Sequence, residues 1–136
     1  MTYIVSYQKR FDALTTTTIA LPENPNAPGV IGTELATIDG ITYVALPDDA
    51  VLPQQPTEIY VTPVELTQKL KTDISEASPH VRLIRERVSA MIADRYSVGD
   101  EIKLLRTAPS AEFEAYNAYA EECRAWGREQ RAAIGL

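Results

Sequence analysis

Hydrophobic positions in the first half of the chain fall in short segments that are rich in β-branched and aromatic residues. Tyr3 to Tyr7 and Leu14 to Leu21 are two such segments, and their composition favours strands over helices. Two more segments, Val30 to Ile38 and Ile41 to Leu46, are joined by Asp39-Gly40, a dipeptide that tolerates the positive φ angles of a type I′ turn. The pattern predicts an antiparallel β region that contains a hairpin.

Proline residues separate these segments, since six of the nine prolines lie before residue 60. Residues 22–28 and 47–56 are therefore predicted loops, and the second loop carries the acidic pair Asp48-Asp49. After this loop, Glu58 to Val61 is predicted to form a last short strand.

Near residue 62 the hydrophobic spacing changes to intervals of three and four, which is typical of helices. Thr62 to Glu65 combines a capping threonine, a proline at the first helical position and a glutamate three residues after the cap, so a helix is predicted to begin there. Ser78-Pro79 repeats this start signal for a second helix that ends near Arg95. Ser97 is predicted to cap a shorter third helix through Asp100.

The last helix carries a seam in which residues recur at alternating intervals of three and four from Phe113 to Ile134, a pattern of coiled-coil type. On the third helix, Val98, Ile102 and Leu105 are expected to face inward. The predicted helical core comprises Leu66, Leu70, Ile84, Val88, Met91, Ile102, Leu105, Phe113, Tyr116 and Ala120.

These patterns predict an α+β fold in which a β-rich region, residues 1–62, precedes a bundle of three to four helices, residues 63–136. The formal net charge of −6 is uneven, because residues 1–62 hold two basic and seven acidic residues and residues 63–136 hold eleven and twelve. An acidic chain lacks the net basic face of nucleic-acid-binding domains, so no nucleic-acid partner is expected.

Membrane insertion and export are not expected either. The longest uncharged apolar runs are a few residues long, whereas a helix that crosses a bilayer needs roughly 20. No signal-peptide pattern precedes the first predicted strand. The sequence therefore predicts a cytoplasmic protein.

Residues suited to catalysis or metal binding are few. One cysteine, Cys123, and one histidine, His80, supply too few ligands for an ordinary His/Cys metal site. Asp48-Asp49 and Glu121-Glu122 are adjacent pairs, and neighbours within a strand or helix point in different directions; no glycine pattern for phosphate binding is present. We expect no catalytic residue, no catalytic metal and no cofactor, while a calcium site built from carboxylates alone stays open.

An enzyme with a site in the groove between sheet and helices stays open as the alternative. The burial of His80, Asp48 and Asp49 would distinguish the two readings, because their convergence in one pocket would favour the enzyme. The one basic concentration, Arg82 with Arg85 and Arg87, is interleaved with acidic residues and predicts a solvated, ion-paired face.

Aromatic residues on the last helix extend beyond its seam. Tyr119 and Trp126 lie seven residues apart on an adjoining stripe. Either the helix packs on two sides, or these rings bind a partner, since amphipathic aromatic residues are enriched at interfaces. Three basic residues on the same helix could then pair with carboxylates at the rim of the interface. The predicted partner-binding residues are Tyr119, Trp126, Arg124, Arg128 and Arg131.

The segments Arg95 to Arg106 and Phe113 to Tyr119 resemble the C-terminal helical hairpin of small tail-assembly proteins, of the tail-fibre assembly chaperone kind, of tailed bacteriophages and prophages. In these proteins a helix ending in Leu-Leu-Arg is followed by a linker and a helix with spaced aromatic residues. The resemblance implies a non-enzymatic assembly or interaction protein. Its partner would be a phage tail or tail-fibre component. Its location would be the cytoplasm of a bacterial host or the virion. Apart from the resemblance, the near-heptad seam of the last helix and the small Gly127 would permit a second copy of the chain as the partner.

Overall fold

The computed structural model of the chain describes residues 2–136 and confirms the α+β class: an antiparallel sheet precedes four helices. The strands are β1 (Thr2–Tyr7), β2 (Arg10–Phe11), β3 (Thr16–Thr17), β4 (Thr33–Ile38), β5 (Ile41–Pro47) and β6 (Thr62–Val64). The helices are α1 (Gln68–Ala77), α2 (Pro79–Arg95), α3 (Val98–Arg106) and α4 (Ala111–Ala133).

The main sheet has the order β4-β5-β1-β6, and its neighbouring strands are antiparallel. The predicted hairpin is confirmed, because β4 and β5 pair across Asp39 and Gly40, which have φ angles of 51° and 79°. Both angles lie in the left-handed region that a type I′ turn requires. The first hairpin strand begins at Thr33, later than predicted, while Val30 forms an isolated bridge with Glu23.

One face of this sheet is covered by the chain's own loops. Val5 and Tyr7 of β1 and Val44 and Leu46 of β5 are buried together with Ile59. Partly buried side chains from the connections before β4 and after β5 pack on this cluster, among them Ile19, Leu21, Ala50, Leu52 and Val61. The long proline-rich loops therefore contribute to the hydrophobic core.

The opposite face carries Ile4 of β1, since side chains alternate along a strand. Helix α1 packs against β4 and buries Ile74 completely. Near the C-terminus, Gly135 lies against β1, because a Cβ atom there would lie 2.8 Å from the Thr2 hydroxyl and 3.5 Å from the Ile4 side chain. The sheet is thus covered on both faces within residues 2–80 and 132–136.

One strand prediction is confirmed only in part, and another is wrong. The segment Leu14 to Leu21 contributes only β3, because the Asp12 carboxylate accepts hydrogen bonds from the backbone N–H groups of Leu14 and Thr15 and forms a turn there. The last strand is β6 and not Glu58 to Val61.

The predicted helix start at Thr62 is wrong, because this segment forms the strand β6 instead. Thr62 to Val64 pairs with β1 as an edge strand, a position where proline is tolerated because one side of the strand needs no N–H donor. Helix α1 starts at Gln68 instead, and the Thr67 hydroxyl caps it by accepting from the N–H of Leu70 at 3.2 Å. The predicted boundary between residues 62 and 63 consequently falls inside a strand.

The chain divides into two compact units, residues 1–80 with 132–136 and residues 81–131. The second unit contains α3 and most of α2 and α4. Within it α2 and α4 are antiparallel neighbours: Gly127 lies against Val88, and the Tyr119 hydroxyl donates to the Met91 carbonyl at 2.9 Å. The predicted start and end of α2 are confirmed.

The predicted seam of α4 is confirmed at its centre, where Tyr116, Ala120, Cys123 and Gly127 are buried. Other predicted core residues are half-buried: Leu66, Leu70, Ile84, Val88, Met91 and Phe113. Ile102 and Leu105 are exposed, so their prediction as core residues is wrong. Within residues 2–136, no helix has the length and apolar content of a membrane span.

Candidate interaction surfaces

The residues that would mark an enzyme do not converge. His80, Asp48 and Asp49 are all exposed. None of them lines the pocket of the sheet unit or either of the two larger pockets of the helical unit. Cys123 is buried in the seam of α4, where a small apolar side chain is suited to packing. Among residues 2–136, no three His, Cys, Asp or Glu side chains are grouped closely enough to hold a metal ion.

Helix α3 is ordered by its own capping residues. The Ser97 hydroxyl accepts from the N–H of Asp100 at 3.1 Å, and the Asp100 carboxylate accepts from the N–H of Ser97 at 3.0 Å. This reciprocal capping box satisfies two N–H groups that the helix start would leave unpaired. The hydrogen bond from the Ser97 backbone lowers the pKa of the Asp100 carboxyl. The ionised carboxylate therefore stabilises the start of α3.

The apolar side of α3 points away from the rest of its unit. Val98 is 73 % exposed, Ile102 47 % and Leu105 62 %, so these residues form an exposed row, here called the α3 stripe. Their spacing of four and three places them on one face of the helix. The expectation that they face inward is wrong.

A neighbouring face of α3 makes the internal contacts instead. Leu104 is half-buried and lines a pocket of about 460 Å³ together with Tyr96 and Ala115. Burial and the nearby Glu101 carboxylate raise the pKa of the Tyr116 phenol. Hydrophobic spacing identifies the apolar stripe of a helix correctly here, but it cannot say whether that stripe is covered within the chain.

Tyr119 contributes to helix packing. Its hydroxyl binds the Met91 carbonyl, and the Arg95 guanidinium lies 4.6 Å from the centre of its ring. Of the two alternatives, packing of α4 on a second side describes these contacts of Tyr119, and its partner-binding role stays a prediction. Trp126 is also half-buried. A partner-binding role for Trp126 stays a prediction.

The predicted arginines of α4 do come together, with a fourth from α2. Arg85, Arg124, Arg128 and Arg131 line one groove of about 460 Å³, here called the arginine groove. Its apolar lining comes from Ile84, Val88 and Gly127. Sequence analysis did not identify Arg85 as a member of this set. In the sequence 38 residues separate it from Arg124, and the two come together because α2 packs against α4.

Two of these arginines form no salt bridge with the residues that the structure describes. Arg128 forms a salt bridge with Glu121, and this contact lowers the pKa of the Glu121 carboxyl. Among residues 2–136, no carboxylate lies within 4.0 Å of the guanidinium of Arg85 or of Arg124. The groove therefore presents guanidinium groups beside apolar side chains, and those of Arg85 and Arg124 form no salt bridge.

A smaller pocket lies in the sheet unit. It has a volume of about 290 Å³ and is lined by Ser6, Gln8, Arg10 and the exposed Tyr60. The Arg10 guanidinium already donates to the Glu58 carbonyl at 3.2 Å. This pocket holds no nucleophile paired with a base, so it does not have the arrangement of a catalytic centre.

Comparison with protein-family models, with curated proteins and with solved structures finds no match to this chain. The surfaces of the chain are therefore the features from which its function is inferred. Two of them stand out: the α3 stripe, which is apolar and ordered, and the arginine groove, which is positively charged in an acidic chain.

Proposed function

We propose that this chain is a non-enzymatic interaction protein that takes part in the assembly of a phage or prophage tail. In this proposal the α3 stripe binds a tail or tail-fibre component in the cytoplasm of a bacterial host or in the virion. The observation that carries the proposal is the exposure of Val98, Ile102 and Leu105 on a helix that its own capping box holds in place.

Exposed apolar rows are costly to leave in water. Burial of apolar surface contributes about 25 cal/mol per Å², so a partner that covers these three side chains gains several kcal/mol. Isolated exposed hydrophobic residues are ordinary, but a contiguous row on an ordered helix is typical of an interaction site. Because the capping box orders α3 before binding, little conformational entropy is lost when the partner arrives.

The spacing of the stripe indicates the form of the partner. Anchors at positions i, i+4 and i+7 are how a helix inserts one face into an apolar groove. We therefore expect the tail component to offer such a groove to α3. The stripe lies within Arg95 to Arg106, one of the two segments that resemble tail-assembly proteins, which supports a tail component as the partner. The enzyme alternative gains no support, because His80, Asp48 and Asp49 do not share a pocket.

Affinity purification from the native host during phage production, followed by mass spectrometry, tests the proposal. The stripe variant carries Ile102→Gln and Leu105→Gln, and the matched control carries Lys103→Gln and Arg106→Gln on the same helix. We expect wild type and control to recover a tail protein, and the stripe variant to recover about tenfold less, equivalent to about 1.4 kcal/mol of binding free energy. Equal recovery by the stripe variant, or no tail protein in any sample, would contradict the proposal.

The stripe variant should fold normally, and a pair of leucine truncations checks this. Leu105→Ala removes an exposed side chain and should change the free energy of unfolding by less than about 0.5 kcal/mol. Leu46→Ala creates a cavity in the buried core of the sheet and should cost about 2–5 kcal/mol. Urea denaturation of both variants measures the difference. A large loss in Leu105→Ala would mean that the stripe supports the fold of the isolated chain.

A further inference from the structure

The net charge of the chain resides in one of its two units. Residues 1–80 with 132–136 contain four basic and ten acidic side chains, which gives the whole net charge of −6. Residues 81–131 contain nine of each and are neutral. The arginine groove belongs to the neutral unit and the acidic excess to the other, so each chain carries two surfaces of opposite charge.

The sheet unit presents an ordered acidic turn, defined as Pro47 to Val51. The N–H of Ala50 donates to the Pro47 carbonyl at 3.0 Å, which places Asp48 and Asp49 at the tip of the turn. The Tyr3 hydroxyl donates to the Ala50 carbonyl at 2.7 Å and fixes the turn to β1.

Both aspartates of this turn are exposed. No basic side chain among residues 2–136 lies within 4.0 Å of either carboxylate. Beside them, Val51 is 82 % exposed. The turn therefore offers two carboxylates without a salt bridge and one apolar side chain on a hydrogen-bonded backbone.

The arginine groove has the complementary composition. Arg85 and Arg124 supply unpaired guanidinium groups, and Val88 is among the apolar side chains between them. We propose that the arginine groove of one copy binds the acidic turn of a second copy, with Asp48 and Asp49 on the arginines and Val51 on the apolar lining. Guanidinium–carboxylate hydrogen bonds are the strong, directional kind, and they fix the register of such a contact.

A second copy fits the groove better than a nucleic acid does. A phosphate backbone offers nothing apolar for the lining of the groove, which Ile84 and Val88 supply. The acidic turn brings both charge and an apolar contact, and its internal hydrogen bonds reduce the entropy lost on binding.

The proposed contact joins two different surfaces of the chain, so it is heterologous. Such contacts close into rings or continue into filaments. This inference is independent of the proposed function, because it uses none of the residues of the α3 stripe.

Charge reversal tests the contact on the full chain by sedimentation velocity over a concentration series. The groove variant carries Arg85→Glu and Arg124→Glu, and the turn variant carries Asp48→Lys and Asp49→Lys. We expect wild type to self-associate in 50 mM NaCl and each variant alone to bind itself at least about tenfold more weakly. An equimolar mixture of the two variants should associate again, because each reversed surface then meets its complement.

Two controls separate this contact from other causes. Arg82→Glu with Arg87→Glu reverses the same number of charges at exposed positions of α2 outside the groove, and it should leave self-association unchanged. Ile102→Gln with Leu105→Gln should also leave it unchanged. If the stripe variant loses self-association while the groove variant keeps it, the contact belongs to α3 and the inference is overturned.

The remaining outcomes also decide the question. A wild-type chain that stays monomeric at all concentrations overturns the inference, as does a mixture of variants that fails to associate. A short DNA duplex and inorganic phosphate are titrated into the wild type at the same salt concentration. Saturable duplex binding that is lost in the groove variant, without self-association, would reassign the groove to nucleic acid. The corresponding result with phosphate would reassign it to small anions.

Discussion

At the scale of single residues, Gly127 sets the distance between two helices. A Cβ atom at this position would lie 2.8 Å from a methyl group of Val88 and 3.7 Å from one of Ile84. In sequence terms the glycine weakens the end of the α4 seam, because glycine is a poor helix former. In the structure its missing side chain is what permits the close approach of α2, so its low helix propensity is offset by packing.

Gly127→Ala should therefore destabilise the protein by about 1–3 kcal/mol, the usual cost of inserting a methyl group into a packed helix contact. Gly99→Ala on α3 is the matched control, since its Cβ atom would meet only the Ser97 hydroxyl at 3.7 Å. The control should be neutral or up to about 1 kcal/mol more stable, because alanine loses less backbone entropy. Urea denaturation followed by circular dichroism measures both. Equal stability of the two variants would show that α2 and α4 can separate without cost.

At the scale of elements, local signals predict the structure wherever they do not compete with distant pairing. Asp39-Gly40 and the box of Ser97 with Asp100 act within four residues, and both form as predicted. The start signal at Thr62 is equally strong in the sequence. It loses to β1, because pairing Thr62 to Val64 with an exposed strand edge satisfies backbone groups that a helix start would leave open. No local sequence pattern indicates that β1 has a free edge at this position.

The orientation of α3 could not be predicted for a related reason. The spacing of its apolar residues correctly predicts an apolar face on α3. The helix packs, however, through the neighbouring face that carries Leu104. Which face is covered depends on how the helix meets Tyr96 and α4, and those contacts follow from tertiary structure. A covered stripe and an exposed one have the same hydrophobic pattern.

The capping box of α3 makes this element sensitive to pH. Because the folded pKa of Asp100 is lowered below 3.8, the carboxylate stabilises α3 above the pKa of the unfolded chain. This contribution is lost as the pH falls through the folded pKa. The Ser97 amide donates a hydrogen bond to the Asp100 carboxylate. In an NMR titration, the chemical shift of this amide proton should therefore change with a pH midpoint below 3.8. The shift should be absent in Asp100→Asn, and a midpoint at or above 3.8 would contradict the capping role.

At the scale of the whole molecule, sequence analysis and structure divide the chain differently. Composition places the boundary at residue 62, whereas α1 packs on the sheet and residues 132–136 also belong to the sheet unit. The charge difference between the two regions is visible in the sequence. Its assignment to compact units is not, because the C-terminal residues return to β1 from the far end of the chain. The arginine groove could not be predicted from the sequence either, because it forms where α2 packs against α4.

The two units differ in the size of their buried cores, and this difference predicts their order of unfolding. Among residues 2–136, eleven buried hydrophobic residues belong to the sheet unit and four to residues 81–131. Two of those four are small, Ala120 and Cys123. Since burial of apolar surface is the main stabilising contribution, the helical unit should open at the lower free energy.

Trp126, the one tryptophan of the chain, lies in the helical unit, so its fluorescence reports on that unit alone. We expect its emission to change at a lower urea concentration than the loss of amide protection in β1 and β5, measured by hydrogen exchange. Cys123→Ser should lower the urea midpoint of the tryptophan transition further, because it places a hydroxyl in a buried apolar seam, and should leave the midpoint for β1 and β5 in place. If both transitions coincide in wild type and move together in the variant, the chain unfolds as one cooperative unit, and the smaller core of residues 81–131 does not set its stability.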